Sequence, residues 1–198
     1  MLRSVCALIV LLGMSVVGHA SNPLNLRTFG KDGPVTIYVF TSPTCPHCAA
    51  YHDRVWPVIM KDFIQTGKAQ VKIVEMPYDA VSRQVVQLAR CLDVEKYHSF
   101  MSKVYRQQAI WRSDVVPTDR IMEIAESIGM SLADQRQCLA QTDVAKRIVE
   151  QRDNLSDLYR IHMMPSTVVD RRGKQPLVLT GTDVRVIQSD IATFLGEK

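Results

Sequence analysis

The sequence lacks any block of like charge. Its 24 basic and 20 acidic residues are mixed along 198 positions, for a formal charge of +4. Mixed, solvated faces argue against nucleic acid as the main partner. It also lacks internal repeats, low-complexity tracts and a Pro/Gly/Ser-rich linker, so a string of tethered modules is not expected. Beyond the first twenty residues no segment is apolar for long enough to span a bilayer, which takes about 20 residues. Cysteine is scarce, with five in the chain. A chain of this length, 46% hydrophobic, can build its own core without covalent staples. At least one cysteine pair is therefore free to serve chemistry.

The first residues differ from the rest. Met1, Leu2 and Arg3 make a short basic start, Val5 to Val17 is an apolar run, and Gly18-His19-Ala20 supplies small residues where a signal peptidase cuts. This pattern predicts a secretory leader over residues 1–20, cleaved after Ala20. Cys6 lies inside the run and leaves with it. Four cysteines remain: Cys45, Cys48, Cys91 and Cys138. An even number in an exported protein favours disulfides over free thiols.

Apolar periodicity sets the order of elements. Val35 to Phe40 is an uncharged β-rich run, as expected of a central strand buried on both faces. The motif Cys45-Pro46-His47-Cys48 follows, then a helical pattern to about Gln65, closed by Gly67. Pro57 falls inside that pattern and should kink or end it, because it deletes the bond to the Asp53 carbonyl. Val71 to Met76 reads as a second strand. For some eighty residues the period is then helical: Val81, Val85, Leu88 and Leu92; Val94, Tyr97, Met101 and Val104; Ile121, Ile124, Ala125 and Ile128. Ser131 with Asp134 resembles a capping box, and Val144, Ile148, Leu155 and Tyr159 share a face of a last long helix. Strands return at Thr167–Asp170 and Gln175–Thr180 around a turn with Gly173, and Asp183 caps a final helix. The class is α/β, with a helical insertion.

A strand running into a helix at Cys45 gives the motif its chemistry. Unpaired N–H groups and the helix dipole favour a thiolate there. Pro46 suits the first turn, where its missing N–H has no intrahelical partner. Protonated His47 adds positive charge, and Cys48 lies one turn on, on the more buried side. Stabilising the thiolate makes the disulfide a better oxidant and Cys45 the attacked sulfur. Three alternatives stay open. One is a structural clip, which closes too short a loop to stabilise much. Another is a zinc site of Cys45, Cys48 and His52, for which a fourth ligand is missing. In the third, His47 is simply a surface residue.

The stretches "YVFTSPTCPHC" and "MMPSTVVDRRGK", with the helical segment between them, resemble the DsbA family of thioredoxin-fold thiol:disulfide oxidoreductases. The resemblance covers the mature chain. It implies a thioredoxin fold with an inserted all-helical domain: a first part over residues 21–80, the insertion over 81–158, and a second part over 159–198. It implies periplasmic oxidation of reduced exported proteins, reoxidation by a quinone-linked DsbB-type membrane protein, no cofactor, no metal, no nucleic acid and a monomer. It implies a cis Met164–Pro165 bond beside the cysteines, with Met164 offering backbone hydrogen bonds to an extended substrate. It implies a structural Cys91–Cys138 disulfide, the alternative being two separate thiols. Met164 stands where members often carry Val or Thr, and Val39 where some carry an acidic residue. Both departures bear on oxidising strength and on how protons reach Cys48. The competing functions are an isomerase or reductase of the same compartment, which commonly carries an N-terminal dimerisation domain, and a non-enzymatic binding or chaperone module. Trp111 is expected in the core; His98 and His162 have no partner legible from sequence.

Overall fold

A computed structural model describes residues 22–197; the leader expected over residues 1–20 lies outside them. Five strands form one sheet: β1 (Arg27–Phe29), β2 (Val35–Thr41), β3 (Gln70–Glu75), β4 (Ser166–Arg171) and β5 (Leu177–Thr180), in the order β1-β3-β2-β4-β5. β2 and β3 are parallel, and every other neighbouring pair is antiparallel. The centre falls to β2, whose uncharged sequence suits burial on both faces. Ile37 and Val39 join one apolar cluster, while Phe40 packs with Val74, Val168 and Tyr159 in another. Each fully buried aliphatic side chain of this kind contributes about 1.5–3 kcal/mol.

The helical pattern after the motif is not one helix. α1 (Pro46–Arg54) breaks at Val55, α2 (Trp56–Ile59) restarts with Pro57 in its first turn, and a π-helical turn follows over Met60–Ile64. Pro57 has no N–H for the Asp53 carbonyl, and the break falls two residues earlier than a stop after Trp56 would put it. The π turn has no signal in the apolar spacing.

Between β3 and β4 lie α3 (Ala80–Arg90), α4 (Val94–Arg106), α5 (Gln108–Trp111), α6 (Pro117–Glu126), α7 (Leu132–Leu139) and α8 (Thr142–Tyr159); α9 (Val184–Leu195) closes the chain. The capping box at Ser131 is present with both of its bonds, and Asp79 and Ser82 form another at the start of α3. Leu88, Phe100, Val104 and Ile121 belong to the same cluster as Ile37 and Val39, so the inserted helices share the sheet's core. Trp111 is buried in it, its indole N–H donating to the Val104 carbonyl at 2.7 Å.

One polar hub sits inside. The Arg90 guanidinium donates to both Glu75 carboxylate oxygens at 2.9 and 2.6 Å, and to the Asn25 carbonyl. Arg27 donates to the Arg90 carbonyl, and Tyr97 Oη to Glu75 at 3.2 Å. The hub ties β1, β3, α3 and α4 together: the Arg90–Glu75 charges are paired and hydrogen-bonded, while Arg27 Nε is buried without a partner. No helix among the described residues is long and apolar enough to cross a membrane.

Candidate active site

Cys45 is the N-cap residue of α1, in extended conformation (φ −83°, ψ 121°), with Pro46 opening the helix. It holds the position that Ser or Asp commonly fills, but its side chain makes no capping hydrogen bond. The Cys45 thiol is lowered to about 6. The largest cause is a hydrogen bond from Cys48, helped by the backbone N–H groups of Cys48 and His47 and by the charge of His47, and opposed by burial. Cys48 is completely buried, and its thiol is pushed far up. The hydrogen bond it gives Cys45 and its burial are the main causes; the Ser42 N–H, 3.4 Å from its sulfur, and the Thr41 hydroxyl work the other way. One thiolate shared unequally between neighbouring sulfurs is the arrangement expected of an attacking thiol and its resolving partner.

The Met164–Pro165 bond is cis, and the Met164 carbonyl oxygen lies 3.9 Å from Cys45 Sγ. Pro165 is buried, Met164 half-buried and Met163 exposed. The loop before β4 thus reaches the sulfur that α1 presents. His162, on the same loop, is exposed.

Four supports have no simple sequence signal. Gln108 of α5 is buried and donates through Nε2 to the carbonyls of Pro43 (2.7 Å) and Cys45 (3.0 Å), so the helical insertion holds the loop that carries the cysteines. Thr44 Oγ1 donates to Asp79, the cap of α3, at 2.6 Å. Thr41 Oγ1 pairs with Tyr105 Oη at 2.8 Å, and Tyr51 Oη with Thr167 Oγ1 at 2.6 Å. These partners stand up to 116 residues apart, so no local pattern joins them. His52 and His98 are neighbours, 6.0 Å between rings, beside Trp56. Burial first, then the nearby charges of His98 and Arg106, lower His52 to about 4. Among the described residues no three His, Cys, Asp or Glu side chains cluster as metal ligands.

Cys91 and Cys138 are joined through their sulfurs, across 47 residues and 6.1 Å between Cα atoms, linking α3 to α7. Cys45 and Cys48 are both in thiol form.

Comparison with known proteins places this geometry. Residues 28–176 match the family model described as Thioredoxin. A Rickettsia typhi protein, named provisionally as a protein-disulfide oxidoreductase, is 28% identical over 120 residues, 60% of this chain and 44% of that one. Disulfide bond formation protein D of Bacillus subtilis is 26% identical over 103 residues, 50% of this chain and 46% of that one. The matches thus span about half the length of the curated relatives. Among solved structures, Wolbachia pipientis alpha-DsbA1 superposes with a TM-score of 0.78 at 20% identity, covering 87% of this chain and 92% of that one. Oxidised BdbD from Bacillus subtilis gives 0.73 at 21% identity, covering 86% and 93%. The chain belongs to the thioredoxin family, and its fold is that of the DsbA proteins.

Proposed function

We propose that this protein is a thiol:disulfide oxidoreductase that donates its Cys45–Cys48 disulfide to reduced cysteines of exported proteins. The observation that carries the reading is the Cys45 thiol at the N-terminus of α1, lowered to about 6, with buried Cys48 behind it. A group so favoured as a thiolate is a good leaving group, and the reduced pair is the stable one.

In the reaction a substrate thiolate attacks Cys45 Sγ. The Cys45–Cys48 bond breaks, and Cys48 leaves and takes up a proton. A second substrate thiolate then attacks the substrate sulfur of the mixed disulfide. Cys45 departs as the thiolate, and two electrons have passed from substrate to protein. Pro46 and His47 shape the Cys45 environment. The Met164–Pro165 loop is read as the place where an extended substrate segment lies, and the exposed side chain of Met163 adds an apolar contact. Cys91–Cys138 is the structural bridge of the insertion, residues 81–158, with residues 21–80 and 159–198 making the thioredoxin unit. The leader over residues 1–20 directs the chain to the periplasm. There a quinone-linked DsbB-type membrane protein restores the disulfide.

The test is oxidation of a reduced, unfolded protein with two cysteines. Native protein should oxidise it stoichiometrically, and Cys45→Ser should not; retained oxidation by that variant would sink the assignment. A refolding assay on a scrambled-disulfide substrate separates an oxidase from an isomerase.

A further inference from the structure

Cys48 carries negative charge twice in the exchange reaction, once as it leaves the opening disulfide and once as it attacks to close it. Its side chain is completely buried, so water does not solvate that charge. A buried thiolate without a partner is costly. A backbone donor meets the sulfur: the Ser42 N–H, at 3.4 Å. Ser42 is itself completely buried.

The strand register explains why this N–H serves a sulfur. Ser42 stands one residue past β2. The β2–β4 ladder runs from Val35–Arg171 to Phe40–Ser166, and continued to Ser42 it would set that residue opposite Met164. It stops short, because β4 starts at Ser166, and the Ser42 N–H turns to Cys48 instead of to a strand. The residues from Ser42 to Cys45 form a turn, closed by the Cys45 N–H donating to the Ser42 carbonyl at 3.2 Å, with Pro43 at its second position. The Ser42 backbone thus serves both cysteines. The turn is held from the insertion side as well. Gln108 donates to the Pro43 and Cys45 carbonyls, and Asp79 accepts from the Thr44 hydroxyl. A donor fixed in this way costs no reorganisation when charge appears in front of it.

We propose that the Ser42 backbone N–H is a catalytic donor that stabilises the developing Cys48 thiolate when the disulfide opens and when it closes. The proposal rests on the thiol–disulfide exchange reading above. On opening, a substrate thiolate bonds to Cys45 Sγ and the Cys45–Cys48 bond breaks. Its electron pair passes to Cys48 Sγ, which accepts the Ser42 hydrogen bond and then takes a proton from solvent. On closing, the Cys48 thiol gives its proton to solvent and its sulfur attacks Cys45 Sγ. The Cys45–substrate bond breaks, and the substrate leaves as the thiolate. In the resting reduced protein Cys48 is the neutral thiol, which donates to Cys45. A neutral sulfur is a weak acceptor, so the Ser42 bond is weak at rest and strengthens as charge grows. An interaction stronger in the transition state than in the ground state lowers the barrier. Ser42 touches the reacting sulfur, whereas Gln108 and Asp79 act through the turn, as positioning residues.

The experiment replaces Ser42 in the mature protein by its α-hydroxy acid. The Thr41–Ser42 amide becomes an ester, which removes the N–H and keeps the side chain. The ester also weakens the Thr41 carbonyl, which accepts the Met76 N–H at 2.8 Å. The control is therefore the same exchange at Met76, which removes the donor to that carbonyl and leaves the Ser42 N–H in place. Each reduced protein is mixed rapidly with a chromogenic nitrobenzoate disulfide. Cys45 attacks the reagent and releases the first coloured thiolate. Cys48 then attacks Cys45 and releases the second, leaving the Cys45–Cys48 disulfide. The Ser42 ester should slow the second phase by about tenfold or more, as loss of a hydrogen bond to a charged group does, and leave the first within about two-fold. The Met76 ester should leave both phases within about two-fold of native. A smaller slowing, equal slowing of both phases, or the same loss in the Met76 ester would each overturn the proposal. A second measurement needs no backbone change. In Cys45→Ala protein, Cys48 loses the sulfur it donates to, the largest cause of its raised thiol. The Ser42 amide proton, followed by NMR, should move downfield as Cys48 ionises; a resonance that stays fixed through the titration would also overturn the proposal. An absent first phase in the native protein would instead refute the exchange reading.

Discussion

Cys45 stands at the N-terminal end of α1, whereas Cys91 caps the C-terminal end of α3 and Cys138 lies one residue before the end of α7. The helix dipole has opposite signs at these places. It favours a thiolate at Cys45 and disfavours one at Cys91 and Cys138. The Cys138 sulfur is also 3.2 Å from the Gln87 carbonyl oxygen, another negative neighbour. Two cysteine pairs in one chain therefore receive opposite treatment. On the proposed function, the fold favours the reduced form of one pair and the bonded form of the other. The same four residues, spread differently over helix ends, would exchange these roles, so the redox character belongs to the positions as much as to the Cys-x-x-Cys spacing.

The comparison breaks most completely at Cys45. Cys45→Ser removes the attacked sulfur and should reduce substrate oxidation to background, while Cys91→Ala with Cys138→Ala should leave single-turnover oxidation close to native. Stability should respond the other way. Opening the 47-residue link costs about 4 kcal/mol in the chain-entropy account, visible as a lower denaturation midpoint. Reducing Cys45–Cys48 should stabilise the fold relative to its oxidised form.

The pH dependence sharpens the contrast. Because the folded Cys45 thiol lies near 6 and its ordinary value is 9.0, the thiolate's stabilising effect is fully present above pH 9 and is lost as pH falls through about 6. Exchange with glutathione releases one proton across that window. Its equilibrium should shift toward reduced protein by roughly tenfold per pH unit there and flatten below it. A slope of zero between pH 6.5 and 8, read from the thiol count, would contradict the lowered thiol.

Gln108→Leu should act more mildly. It leaves the Pro43 carbonyl without its donor, for a loss of about 1–3 kcal/mol in stability. The Cys45 carbonyl keeps its bonds from the Cys48 and Ala49 N–H groups, so the Cys45 titration should move little. Asp79→Ala removes the cap of α3 and the Thr44 contact, for about 1 kcal/mol.

Much of this was legible in the sequence, for local reasons. A strand with no charges, two cysteines around a proline and a histidine, and helix stripes with capping residues are all patterns within a few residues of one another. Ser131 and Asp134 announce their helix, and Pro57 announces a break. What sequence could not show are contacts made by folding distant segments together. Gln108 reads as a surface residue in "YRQQAIW", yet it is buried against a loop 63 to 65 residues away. Arg90 looks like an ordinary basic residue in the last turn of a helix, and only the sheet brings Glu75 to it. Thr41 and Tyr105 are a strand end and a helix position with no shared motif. Val39, a departure from some members of the family, borders the same cavity as that pair.

The most direct test of the contrast is equilibration of the mature protein with graded glutathione buffers, followed by acid quench and assignment of free thiols to each pair by mass spectrometry. The account predicts that Cys45–Cys48 is reduced in buffers that still leave Cys91–Cys138 bonded, and that it remains reduced well into the oxidising range. Reduction of Cys91–Cys138 first, or a Cys45–Cys48 disulfide that survives strongly reducing buffers, would contradict it.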